Sequence, residues 1–163
     1  IEPNKWLIED AIRNVIGEDV VKIKKPNFDH NDQFNTDVFS KKFDFIVAQS
    51  IFSHASSSII RSALNNFKHS LKDSGIIVTT FVEGLTNYNG EGWVYPGCVS
   101  YRRSKIIEFA KRKYNNKANT RFLSRRKDLE MVVYSLIRTS NHQLAKEIYF
   151  KICLLYTSYA ADE

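Results

Sequence analysis

The chain has 163 residues, a formal net charge of +6 and 43% hydrophobic residues. This length and composition predict one folded domain with a real core and exclude a disordered chain. No apolar run is long enough to cross a bilayer, and Cys98 and Cys153 are too few for a disulfide framework, so we expect a cytoplasmic protein.

Both ends of the sequence carry features that affect its interpretation. The chain starts at Ile1 without Met, which predicts an N-terminal truncation. The last eleven residues read CLLYTSYAADE and resemble a translated sequencing adapter, CLLYTSDAADE, from which only Tyr159 departs. We expect residues 1–152 to be a partial domain and residues 153–163 a non-native tail; the alternative is a natural C-terminal strand. Without the tail, 24 basic and 16 acidic residues leave a net charge of +8.

The N-terminal third predicts one clear helix between less regular segments. Residues 1–4 resemble a strand end that enters a helix, and Asn4 can cap that helix. Gly17 ends it, after an apolar stripe of Leu7, Ile8, Ala11, Ile12, Val15 and Ile16. Residues 20–23 are apolar but too short to classify. Residues 26–34 predict a short strand that runs into a polar turn.

Residues 43–81 carry the strongest pattern in the chain. The run FDFIVA at 43–48 predicts a buried strand, and IIVTTF at 76–81 predicts a second. Serines 56–58 and Gly75 bound a helix between them, with apolar positions at Ile59, Ile60, Ala63, Leu64, Phe67 and Leu71. Strand, helix and strand in this order predict a parallel βαβ unit. Ligands bind beyond the carboxyl ends of such strands, so residues 49–54 and those from 82 onward are the predicted site.

The remaining segments are more varied. Residues 83–101 have no period but are rich in aromatic side chains, which favours a lid or a substrate-shaping loop. Residues 105–114 predict a helix with Ile106, Ile107, Phe109 and Ala110 facing inward. Residues 131–137 predict a strand, and residues 141–152 a final helix.

The order of these elements resembles the class I methyltransferases that use S-adenosylmethionine. The blocks FDFIVAQSIFSH at 43–54 and SLKDSGIIVTTF at 70–81 carry the resemblance. It implies an α/β, Rossmann-like sheet with helices on both faces and S-adenosylmethionine as cofactor. The family's glycine-rich loop has no counterpart here, since residues 90–92 have a GxG spacing but the wrong context. We therefore expect the first strand and that loop to be missing, and the chain alone to be inactive.

The resemblance also assigns residues to a cofactor site. Glu2 matches the acid that binds the ribose hydroxyls; helix-end electrostatics is its alternative role. Asn31 and Asp32 fall where the family contacts the adenine amino group, although both also suit a plain turn. Gln49 and Ser50 match the contacts to the methionine part of the cofactor.

The acceptor side rests on fewer residues. His54 follows the first strand of the βαβ unit and is the candidate base for an oxygen acceptor, with helix capping or packing as its alternative role. Three aromatic residues, Trp93, Tyr95 and Tyr101, could wall the acceptor pocket or close the core. No metal is expected, because the four histidines lack ligand spacing.

Three functions stay open from the sequence. The first is methyl transfer to an unidentified small-molecule acceptor. The second is a nucleic-acid methyltransferase, motivated by the basic C-terminal third between Arg102 and Lys127, although a solvated face explains that charge more simply. The third is a non-catalytic interaction domain on the same scaffold. The oligomeric state is not predicted.

Overall fold

The protein is an α/β domain built around one mixed sheet. The computed structural model describes the backbone of residues 1–113, 119–124 and 131–137, and the side chains of residues 1–110 except Ser74. The predicted helix at 141–152 and the tail at 153–163 lie outside the described residues. In chain order the elements are α1 (Lys5–Ala11), a π-helical turn (Ile12–Ile16), α2 (Glu18–Lys24), a 3-10 turn (Thr36–Phe39), β1 (Phe43–Ala48), α3 (Ser57–Ser70), β2 (Leu71–Glu83), β3 (Ser100–Tyr101), α4 (Arg103–Lys113), β4 (Asn119–Ser124) and β5 (Met131–Ile137).

The sheet has the strand order β1-β2-β5-β4, and the short β3 pairs with the end of β2. β1 and β2 are parallel and α3 connects them, which confirms the predicted βαβ unit. β5 runs antiparallel to both β2 and β4. Residues 76–81 of β2 are buried on both faces, as expected for a central strand with a continuous apolar run. The predicted α/β fold class is confirmed.

The core lies between the sheet and the pair α3 and α4. The predicted apolar stripes face inward, with these side chains buried: Ile60, Ala63, Leu64 and Phe67 on α3, and Ile106, Phe109 and Ala110 on α4. Arg61 on α3 and Lys105 on α4 both lie over the Phe109 ring, 5.5 and 5.3 Å from its centroid. The Arg61 contact joins α3 to α4, and the Lys105 contact lies within α4.

The start of β2 differs from the predicted one. α3 ends at Ser70, not at Gly75, and β2 begins at once with Leu71. Phe43 pairs with Leu71 but Phe45 pairs with Ile76, so β2 holds extra residues against β1. A Cβ at Gly75 would lie 2.7 Å from the Leu71 side chain. Gly75 therefore permits this local fold of the strand and does not cap the helix.

The N-terminal region also departs from expectation. Residues 20–23 are helical, within α2, and neither residues 1–4 nor residues 26–34 form the expected strands. The segment at 26–34 folds on local polar contacts instead, because Asp29 accepts hydrogen bonds from the backbone and the side chain of Asn31. α1, the π-helical turn and α2 hold no buried residue.

Candidate functional site

Two loops meet at the carboxyl ends of β1 and β2. Residues 49–56 leave β1, and residues 84–99, here called the aromatic loop, leave β2. Three backbone hydrogen bonds join them: Val94 N–H to the His54 carbonyl at 2.8 Å, Val99 N–H to the Ser53 carbonyl at 2.8 Å, and Ser56 N–H to the Gly92 carbonyl at 3.1 Å. The fold therefore places His54 against the aromatic loop at the edge where ligands bind in parallel sheets.

The His54 ring is held by carbonyl oxygens of that loop. Its Nδ1 lies 2.7 Å from the Gly97 carbonyl oxygen and 3.2 Å from the Val94 carbonyl oxygen. Carbonyl oxygens only accept hydrogen bonds, so Nδ1 carries the hydrogen and the lone pair of the neutral imidazole is on Nε2. The ring also packs edge-on to Tyr95, with centroids 5.6 Å apart. This arrangement fixes the ring and leaves Nε2 to accept a proton.

Trp93 and Tyr95 expose much of their aromatic surface. Trp93 is 52% exposed and Tyr95 83% exposed. Phe34, which the sequence analysis did not single out, lies 5.9 Å from the Trp93 ring and 6.1 Å from the Phe67 ring, centroid to centroid. Phe34 thus connects the aromatic loop to the segment that carries Asn31 and Asp32. Its positive φ of +56° is a feature that no sequence pattern signals.

Asn31 and Asp32, which the sequence could not distinguish, have different environments in the structure. Asn31 bridges its own loop: its amide donates to Asp29 and to the Asn35 carbonyl, and its side-chain oxygen accepts from Asn35 N–H. These hydrogen bonds hold the pKa of Asp29 below its ordinary value, first through the Asn31 backbone N–H and then through its side chain. Asp32 is exposed, and its carboxylate has no hydrogen-bond or ion-pair partner among the described residues.

Glu2 is tied to the same segment. Its backbone N–H donates to the Asp29 carbonyl at 3.0 Å, and its carbonyl accepts from His30 Nδ1 at 2.7 Å. One carboxylate oxygen, Oε1, accepts the Asn4 N–H at 2.9 Å, which leaves Oε2 available. Glu2 is therefore anchored at the start of α1 by contacts that the sequence analysis did not predict.

The turn after β1 holds Gln49 and Ser50, and both residues are exposed. Ser50 has a φ of +52°, in the left-handed region, and its N–H donates to Thr80 Oγ1 at 2.7 Å. The Thr79 hydroxyl donates to the Ala48 carbonyl at 2.9 Å. Neither threonine was singled out from the sequence, since both read simply as buried strand residues.

Tyr101 does not wall a pocket. Its side chain is 0% exposed, its hydroxyl donates to the Ala55 carbonyl at 2.9 Å, and its ring packs against Phe109 with centroids 6.1 Å apart. The prediction that Tyr101 contacts the acceptor is therefore wrong, and the residue belongs to the core. Burial raises the pKa of Tyr101 above its ordinary value, while the Ser57 hydroxyl and Arg61 act in the opposite direction.

This pKa shift predicts a loss of stability in alkaline solution. Tyr101 has a folded-state pKa above the unfolded value of about 10, so its stabilising effect is complete below pH 10 and is lost as the pH rises through the folded-state pKa. At pH 8, Tyr101→Phe should cost about 1 kcal/mol through the lost hydrogen bond. Urea unfolding between pH 8 and 11 should show that the difference in free energy of unfolding between wild type and Tyr101→Phe becomes smaller as the pH rises. A difference that stays constant would contradict the shift.

The described basic residues after the aromatic loop are already engaged. Arg102 Nε donates to the Leu85 carbonyl at 2.5 Å, Arg103 pairs with Glu83 at 2.6 Å, and Lys105 pairs with Glu108 at 3.0 Å. The described basic side chains of the C-terminal third therefore all have partners within the chain. The remaining basic side chains of that region lie outside those described.

Among the residues that the structure describes, no helix combines the length and the apolar character needed to cross a membrane. Within the same residues, no three His, Cys, Asp or Glu side chains come together as a metal site.

Comparison with solved structures identifies the fold. An S-adenosylmethionine-dependent methyltransferase from Clostridium acetobutylicum ATCC 824 aligns with 83% of this chain and 72% of its own, at 13% identity and a TM-score of 0.54. A putative rRNA-methylase from Clostridium thermocellum gives the same coverage and identity with a TM-score of 0.56. An O-methyltransferase family protein from Burkholderia thailandensis aligns with 82% of this chain but 42% of its own, at 11% identity and a TM-score of 0.57.

These structures share the architecture of class I methyltransferases with this chain. The resemblance found in the sequence is therefore confirmed for the fold. No protein-family model matches the sequence, and no curated protein matches it. At such low identities the likeness extends to the fold alone, so the assignment of function has to come from the site.

Proposed function

We propose that the complete protein transfers a methyl group from S-adenosylmethionine to a small acceptor that carries a hydroxyl group. The observation that carries this proposal is His54, whose Nδ1 faces two carbonyl oxygens and whose Nε2 is left as a proton acceptor. It lies at the carboxyl ends of the parallel strands, in a fold shared with methyltransferases. A base at this position suits an oxygen acceptor, which has a proton to lose.

Three segments carry side chains that fit the chemistry of S-adenosylmethionine: the N-terminus with Glu2, the turn with Asp32, and the turn with Gln49 and Ser50. The adenine amino group is a donor, and Asp32 offers an exposed carboxylate without a partner among the described residues. The ribose hydroxyls are also donors, and Glu2 has a carboxylate oxygen left for them. The methionine part carries a charged amine and a carboxylate, which suit the exposed amide of Gln49 and hydroxyl of Ser50. We assign the adenine contact to Asp32 because Asn31 is occupied within its own loop.

The protein's own residues then supply alignment and proton transfer. When bound, S-adenosylmethionine supplies an electrophilic methyl group on a sulfonium that is already a good leaving group. Nε2 of His54 accepts the hydroxyl proton of the acceptor, and the Gly97 and Val94 carbonyls stabilise the imidazolium that forms. Trp93 and Tyr95 present apolar surface against which an acceptor can be held. Positioning accounts for most of the rate in such a reaction.

The nucleic-acid alternative receives no support from the described residues. Arg102, Arg103 and Lys105 are each engaged with a partner in the same chain. A basic face for phosphates needs side chains that can reach them. Filter binding against salt tests the point, and we expect a flat response.

Calorimetry with S-adenosylmethionine tests the proposed function directly. The full-length protein should bind it, and Asp32→Ala should weaken binding by about tenfold, since a hydrogen bond to a charged group is lost. The matched control is Asp19→Ala, which removes an exposed aspartate of α2 outside the three segments. No heat of binding to the full-length protein would refute the enzyme assignment. Methyl transfer by residues 1–152 alone would refute the expectation that this part is inactive.

A further inference from the structure

Ser50 adopts a backbone conformation that its residue type disfavours. Its φ of +52° lies in the left-handed region, where a Cβ crowds the backbone. Ser50 is exposed and directly follows Gln49, the first residue after β1. A non-glycine residue stays in this region only when its surroundings hold it there. Some contact must therefore stabilise the turn.

Thr80 provides that contact. The last pair in the β1–β2 ladder is Ala48 with Thr79, so Thr80 lies one position beyond the ladder. Its Oγ1 accepts the Ser50 N–H at 2.7 Å, and Thr80 is only 8% exposed. A buried strand position is filled equally well by valine, which has the same shape without the hydroxyl. The hydroxyl therefore acts here as a specific acceptor for the turn.

We infer that Thr80 is a positioning residue, whose hydroxyl fixes the left-handed turn at Ser50 and so directs the side chains of Gln49 and Ser50 toward the ligand. This inference rests on the proposed function for the ligand's identity, but the turn itself can be measured without any ligand. Thr80 contacts neither cofactor nor acceptor in this scheme and acts only through the turn.

Thr79 supplies a matched control. Its hydroxyl donates to the Ala48 carbonyl, inside the paired part of the strands, and it is 1% exposed. Valine at Thr79 removes a buried hydroxyl of the same kind from the adjacent residue. The Ser50 N–H keeps its acceptor in that variant. Any effect specific to the turn should therefore separate Thr80→Val from Thr79→Val.

The experiment measures two quantities in wild type, Thr80→Val, Thr80→Ser and Thr79→Val. The first is native-state hydrogen exchange at the Ser50 amide. The second is the affinity of the full-length protein for S-adenosylmethionine by calorimetry. Thr80→Ser keeps the hydroxyl and should rescue both. Thr80→Ala replaces Thr80→Val if the valine variant does not fold.

We expect Thr80→Val to reduce protection of the Ser50 amide and affinity for S-adenosylmethionine, each by about fivefold to tenfold, as for one lost hydrogen bond. Thr79→Val should leave both close to wild type. Unchanged Ser50 protection in Thr80→Val would overturn the inference. Lost protection with unchanged affinity would overturn the positioning role. If wild type does not bind S-adenosylmethionine, the proposed function fails, and the exchange data alone decide whether Thr80 fixes the turn.

Discussion

Replacing His54 by alanine should lower methyl transfer by about 100-fold or more, which is the usual contribution of a general base. The reason is that Nδ1 is committed to the Gly97 and Val94 carbonyls, so Nε2 is the atom that can take the acceptor proton. The rate is measured with methyl-labelled S-adenosylmethionine and the hydroxylated small molecule that a substrate screen returns. Affinity for S-adenosylmethionine should change little, since the proposed function places His54 on the acceptor side of the site.

His69→Ala is the control for that prediction. His69 is exposed near the end of α3, away from the aromatic loop, and its loss should leave the rate unchanged. A His54→Ala protein that keeps the wild-type rate would exclude His54 as the base. A protein that loses cofactor affinity in parallel with rate would place His54 in the cofactor site instead.

The largest effect on stability is expected at Phe52, in the segment between Gln49 and His54. Phe52 is 1% exposed and belongs to the main core cluster. Phe52→Ala should lower the free energy of unfolding by about 3–5 kcal/mol, because it combines lost apolar burial with a cavity. That is a large part of the stability of an ordinary domain. Urea unfolding followed by circular dichroism measures it.

Phe45→Ala gives the matched comparison, since Phe45 on β1 is 42% exposed and leaves little cavity when it is truncated. It should cost much less than Phe52→Ala. Equal losses at the two positions would show that Phe52 is not a core residue. Phe52→Leu, which keeps most of the apolar volume, should fall between the two.

The sequence predicted those elements whose side chains repeat with a clear period. β1 and β5 have the expected bounds, but β1 was expected to be buried and instead exposes Phe45 and Val47. α3 buries most of its predicted stripe, whereas Leu71 lies in β2. β4 (Asn119–Ser124) was not predicted because NTRFLS has a charged residue at its centre and no alternation. It is a strand because it pairs with β5, and such context outweighs local preference. The helical state of residues 20–23 was missed because four residues carry too short a pattern.

The location of the candidate site was predictable, but its atomic arrangement was not. Parallel strands place their carboxyl ends side by side, so a site near residues 49–54 followed from the βαβ pattern alone. The closest partners of His54 Nδ1 are backbone carbonyls, which carry no signature in the sequence. The positive φ of Phe34 has no sequence pattern that signals it. The hydrogen bond from Ser50 N–H to Thr80 Oγ1 joins residues that are distant in the sequence. Tyr101 was misassigned because an aromatic residue in a loop and one in a core look the same in sequence.

Under the proposed function, the contacts between the aromatic loop and His54 would make the base dependent on the shape of the acceptor. The carbonyls that keep the hydrogen on Nδ1 belong to Val94 and Gly97, on either side of the exposed Tyr95 ring. A molecule too bulky for the loop would push those carbonyls away and let the imidazole change tautomer, which would remove the lone pair from Nε2. The same loop would then reject a wrong substrate in two ways, by steric exclusion and by removing the proton acceptor that the reaction needs.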